Sequence, residues 1–198
     1  MRRAAAVVVG ATLLALAAAP ARAEFPVALR VSAGGGYGVA RHGESLTGPF
    51  SGLATLDVAW RRRPGREVVV SCELAAVGAL AGTEVPAGLQ SEGSLEAEHG
   101  AILLGIASTP AGFGIRHYLQ GGLGVGRVAS TLEGGWLRRP RTHELATGVA
   151  LSATAGLRLV PDPGPLGFVI ALHSSNVMAP GTSSHSLALT VGFTLGSR

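Results

Sequence analysis

Residues 184–195 alternate without a break. Leu187, Leu189, Val191, Phe193 and Leu195 fall on one parity, and Ser186, Ala188, Thr190, Gly192 and Thr194 on the other. Strand side chains point to opposite faces in turn, so this segment predicts a strand with one apolar face and one small or polar face. The same pattern recurs upstream. In 27–38, Val27, Leu29, Val31 and Tyr37 oppose Arg30 and Ser32. In 53–60, Leu56, Val58 and Trp60 oppose Thr55 and Asp57; in 67–77, Val68, Val70, Cys72 and Leu74 oppose Glu67, Ser71 and Glu73. Segment 101–108 sets Ile102, Leu104 and Ile106 on one side. Segment 115–129 sets Ile115, Leu119, Leu123 and Val125 against Arg116, Gln120 and glycines, and 146–159 sets Val149, Leu151, Leu157 and Leu159 against Ser152, Thr154 and Arg158. The seventh segment, around Phe168-Val169-Ile170-Ala171-Leu172, is apolar throughout, its large residues on the even positions.

These segments predict an all-β protein: an eight-stranded antiparallel up-and-down transmembrane β-barrel, large apolar residues toward lipid and small or polar ones inside. A soluble ligand-binding barrel would turn its apolar residues inward instead. The predicted lumen set, Arg30, Asp57, Glu67, Glu73, Arg116 and Arg158, carries both signs and predicts an internal ion-pair network. Eight strands leave room inside for side chains only, so no pore is expected. The connections agree. Those around 61–66, 109–114 and 160–165 are short, and the alternate ones, near 39–52, 78–100, 130–145 and 174–183, are mostly longer. Short periplasmic turns and long outer loops are usual for such barrels. Trp60, Tyr118, Phe168 and Phe193 are the candidates for an aromatic girdle.

The N-terminus adds export. Arg2-Arg3, an apolar run from Ala4 to Ala19 and Ala21-Arg22-Ala23 match a secretory signal peptide over 1–23, with the barrel occupying 24–198. The other reading of that run is an uncleaved anchor. Hydrophobic residues are 47% of the chain and charged residues only 14%, well below the usual quarter of a soluble domain. An exported, apolar chain without a later helical span points to a Gram-negative outer membrane. The net charge of +4 comes without a single lysine, and nucleic-acid binding is not expected of an exported chain. Cys72 is alone, so no disulfide framework is expected, and the histidines show no metal-ligand spacing. No cofactor is implied.

One stretch offers chemistry. His173-Ser174-Ser175-Asn176 follows the apolar seventh strand and precedes 177–183 and the final strand. A histidine and a serine two residues apart on a strand share a face, as a base and a nucleophile would. In this position the stretch resembles the His-x-Ser-Asn motif of the lipid A 3-O-deacylases, the PagL-type acyloxyacyl hydrolases. Tyr118-Leu119-Gln120-Gly121-Gly122-Leu123-Gly124-Val125-Gly126 is similar to that family's glycine-rich central strand. The resemblance covers about 115–195. It implies an outer-membrane esterase whose site faces the bilayer, with Ser175 as nucleophile, His173 as base and Asn176 as oxyanion donor or orienting group. His185 stands nearest the third catalytic position, which is a glutamate in the best-known members. The implied substrate is an ester-linked acyl chain of lipopolysaccharide, reached from the outer leaflet among the outer-membrane lipids.

The alternation of the seventh strand bears on this directly. Leu166, Phe168, Ile170 and Leu172 lie opposite His173 if the alternation is strict. Either a bulge shifts the register, or His173 faces the lumen. The alternative function is a non-enzymatic small outer-membrane barrel with a structural or surface-interaction role. Oligomeric state is not legible in the chain.

Overall fold

The computed structural model describes residues 27–43, 45–63, 65–78, 94–108, 114–133, 142–160 and 166–196. The predicted signal peptide lies outside the described residues. The strands are β1 (Val27–His42), β2 (Ser45–Thr47), β3 (Phe50–Arg63), β4 (Arg66–Gly78), β5 (Ser94–Ser108), β6 (Gly114–Glu133), β7 (Thr142–Val160), β8 (Leu166–Ala179) and β9 (Thr182–Gly196). All pairings are antiparallel, and β1 pairs with both β3 and β9, which closes the sheet. Eight long strands therefore form the predicted up-and-down barrel, while the three-residue β2 folds back on the end of β1. Closure leaves the barrel wall without an edge, so each of the eight long strands finds ladder partners on both sides, which a bilayer demands of any spanning sheet.

The faces fall as the alternation predicts. Ile102, Leu104, Ile106, Leu123, Val125, Leu187, Leu189, Val191 and Phe193 are all exposed on the outer wall. Arg30, Asp57, Glu67, Glu73 and Arg158 are buried inside, and Arg116 is half-buried on the same face. An apolar exterior around a charged interior inverts a soluble protein and is stable only with hydrocarbon outside. The inner wall is kept thin where side chains crowd into the lumen: a Cβ on Gly126 of β6 would lie 2.6 Å from a Val177 methyl of β8, with β7 between the two strands. With such packing the interior holds side chains and no channel, as expected of eight strands. A small gap of about 20 Å³, lined by Arg30, Asp57, Tyr118, Thr154 and His173 among others, has the size of roughly a single water.

Two expectations change. Tyr118, a girdle candidate, projects inward and is 2% exposed. The outer aromatics gather at two levels instead. Trp60, Phe168 and Phe193 sit toward the chain-terminal end, the two phenyl rings 5.2 Å apart and edge-on, and the paired Tyr37 and Phe50 sit near the other. The connection expected over 174–183 contracts to a turn at Pro180-Gly181, because β8 runs on to Ala179 and β9 begins at Thr182. Gly181 takes φ 73°, a left-handed conformation that glycine adopts without steric cost. The candidate motif thus lies within a strand, not at its frayed end.

Candidate functional site

β8 alternates strictly, with no bulge against β7 or β9. His173 and Ser175 therefore share the lumen face with Val169, Ala171 and Val177. They are 3% and 1% exposed. Ser174 and Asn176 take the lipid face, and His185, paired with Asn176 across the hairpin, joins them there. The expected gathering of His173, Ser175 and His185 on one face does not form. The side-chain period of two separates the first pair from the third residue by the thickness of the wall.

Inside the lumen, neither member of the candidate pair bonds to the other. His173 Nε2 lies 3.0 Å from Glu73 Oε1, and its Nδ1 lies 3.0 Å from Thr154 Oγ1. Both ring nitrogens are thus occupied, one by a carboxylate on the opposite wall. Ser175 Oγ instead meets His99 Nε2 at 2.9 Å, and His99 Nδ1 meets Ser184 Oγ at 2.7 Å. The partner histidine of Ser175 is His99 of β5, a residue the sequence places in the long second outer loop. The missed signal was parity: Ala101, Leu103 and Ala107 face inward, and His99 continues that series in an extended strand.

Further layers complete the plug. Toward the chain-terminal end, Arg30 bonds Glu67, donates to the Tyr118 hydroxyl at 3.0 Å and stacks 5.0 Å from that ring's centre. Tyr118 donates to Gln120 Oε1, Gln120 donates to Ser71 at 2.9 Å, and Arg158 stands 4.0 Å from Glu67. This is the internal ion-pair network that the two signs of lumen charge predicted. At the other mouth His42 Nδ1 contacts Ser130 at 2.7 Å and the carboxylate of Glu144 at 3.1 Å, linking β1 to β6 and β7. Such cross-lumen bonds fix opposite walls together, since each buried polar group must find a partner or bear its desolvation cost.

The lipid face carries a smaller polar set. The Asn176 amide donates to Ser174 Oγ at 3.0 Å and to the Leu151 carbonyl at 3.4 Å. Its oxygen accepts from His185 Nδ1 at 3.1 Å. An amide oxygen on Nδ1 fixes the imidazole's orientation. Among the described residues no three His, Cys, Asp or Glu side chains gather into a metal site.

The comparisons bear on the fold. Matches among solved structures include the attachment invasion locus protein Ail of Yersinia pestis in complex with the heparin analogue sucrose octasulfate. That structure is 13% identical, covers 85% of this chain and 99% of its own, and has a TM-score of 0.57. A second structure of Ail gives 15% identity over 85% and 98%, with a TM-score of 0.54. Neisserial surface protein A (NspA) gives 10% identity over 86% and 96%, with a TM-score of 0.51. No protein-family model and no curated protein matches the sequence. The chain therefore has the closed eight-stranded fold of small outer-membrane barrels. Its apolar outer wall gives it the same location, in the outer membrane.

Proposed function

We propose that this protein is a non-enzymatic small outer-membrane barrel with a structural or surface-interaction role. The observation that carries the proposal is the fate of the motif pair. His173 and Ser175 are sealed in a bonded lumen, where an acyl chain in the bilayer cannot reach them, and each is bonded to another strand rather than to the other. In that setting they act as cross-wall ties. The interaction surface is then the outer mouth and its loops. By sequence, the third outer connection carries Arg138, Arg139 and Arg141, which lie outside the described residues, and a polyanionic partner would suit their charge.

The experiment is mass spectrometry of lipid A from outer membranes with and without the folded protein. The expected spectra are identical. Loss of a hydroxyacyl chain on expression, abolished by Ser175→Ala, would overturn the proposal in favour of the esterase.

The second reading is a lipopolysaccharide acyl-ester hydrolase acting at the outer leaflet. It is supported by the His173-Ser174-Ser175-Asn176 resemblance and by the position of His185 on the bilayer face. For that chemistry the lumen pair would have to exchange faces, which requires a one-residue slip of β8 against both neighbours. The same lipid A spectra decide it.

A further inference from the structure

The lipid face beside the motif is not uniformly bulky. Cross-strand partners Ile106, Gly121, Ala153, Ser174 and Leu187 form one row around the outer wall. Gly121 and Ala153, with Ala155 further along β7, leave the middle of that region almost bare of side chain. Ile106, Leu172 and Leu187 stand up around it and are exposed. The result is an open groove of about 560 Å³ on the bilayer side, with Ser174 on its border. That volume lies within the range of ligand-sized sites.

The polar set Ser174, Asn176 and His185 lies at the groove's edge toward the outer mouth. It is surrounded by hydrocarbon-facing residues: Val149 and Met178 above it, Leu172 and Leu187 below, all exposed. Asn176 is fully engaged, bonded to Ser174, His185 and the Leu151 carbonyl. Ser174 Oγ accepts from Asn176, so its hydroxyl hydrogen is still to be donated. His185 Nδ1 is engaged, so Nε2 is still to be paired. A polar group left unpaired in hydrocarbon is costly, so these atoms call for a partner that arrives within the bilayer.

We propose that this groove binds one acyl chain of a membrane lipid, with the chain's ester carbonyl accepting a hydrogen bond from Ser174. Asn176 holds Ser174 and His185 in place, and His185 Nε2 faces the headgroup side of the same lipid. The occupant is a lipid for two reasons. The groove opens directly on the acyl chains of the surrounding leaflet, and an ester linkage supplies, at the depth of the polar set, the acceptor that the wall lacks. No bond is cleaved, and the site serves the non-enzymatic barrel equally well.

The test is native mass spectrometry of the refolded barrel in detergent, supplied with an ester-linked diacyl phosphatidylethanolamine or with its ether-linked analogue. The expected spectrum shows one ester lipid retained per barrel, and retention of the ether lipid weaker by about fivefold, as for loss of a single hydrogen bond. Ala153→Leu, which fills the groove, is expected to abolish retention. Ala54→Leu, on the opposite outer wall, is expected to leave it intact. Heat-modifiable migration on a gel verifies that each variant is folded. Equal retention of the two lipids, unchanged retention in folded Ala153→Leu, or a barrel dimer that Ala153→Leu dissociates would each overturn the proposal. Lipid A spectra are a separate readout, so the failure of this site and the failure of the non-enzymatic reading remain distinguishable.

Discussion

Replacing His173 by alanine distinguishes a cross-wall tie from a catalytic base. The imidazole is 3% exposed and the Glu73 side chain it meets is fully covered. Its removal takes away the hydrogen bond to Glu73 Oε1, and Glu73 Oε2 has no partner of its own. A buried carboxylate is then left unpaired. Breaking a buried pair from one side costs about 3–5 kcal/mol, and the lost Thr154 contact adds about 1 kcal/mol. Removing both partners is different. Glu73→Leu combined with His173→Leu leaves no stranded charge, and such exchanges are close to neutral. The measurement is urea unfolding of the refolded barrel in lipid vesicles, followed by tryptophan fluorescence, for the wild type, both single leucine variants, His173→Ala and the double variant. The expected result is a large loss in each single variant and recovery of most of it in the double. A loss below about 1 kcal/mol for His173→Ala, or a double variant as unstable as the sum of the singles, would refute the reasoning.

Other expectations follow from the same geometry. Ser175→Ala removes one bond from His99, which keeps Ser184, so it should cost only about 1 kcal/mol in the same unfolding assay and leave lipid A unchanged. Gly126→Ala places a Cβ 2.6 Å from Val177 and should destabilise by about 1–3 kcal/mol, with Val177→Ala in the same chain restoring part of the loss. Leu104→Arg puts a charge on the lipid wall, where Leu104 is 63% exposed, and should cost about 2–4 kcal/mol in vesicles if the row lies near the bilayer centre.

The barrel was legible because its signal is local. One strand's alternation names its two faces, and eight such segments separated by alternately short and long connections name the closed sheet. The lumen charges were legible for the same reason, as polar residues on the small face. The strand ends were less so. Ser174, Ser175 and Asn176 have weak strand propensity, and the chain around them reads as a loop until β7 and β9 supply ladder partners on both sides. His99 was hidden likewise, because the residues before Ala101 carry too few large apolar side chains to display the period.

The candidate site shows where local information ends. The motif alone puts a base and a nucleophile on one face, and it leaves open which face. Parity within β8 pointed both ways, since a single bulge would have reversed the answer. The barrel decides it through register: β7 and β9 pair with β8 without a slip, so His173 and Ser175 go inside and His185 stays out. The partners of those residues belong to the tertiary structure too. Glu73 is 100 positions from His173 and His99 is 76 from Ser175, and only closure of the sheet brings their side chains together in the lumen. The sequence by itself determined an alternating, membrane-facing barrel, because period two and apolar exposure are properties of single strands. Which polar side chains meet, and on which side of the wall, depends on the register and closure of all eight strands together.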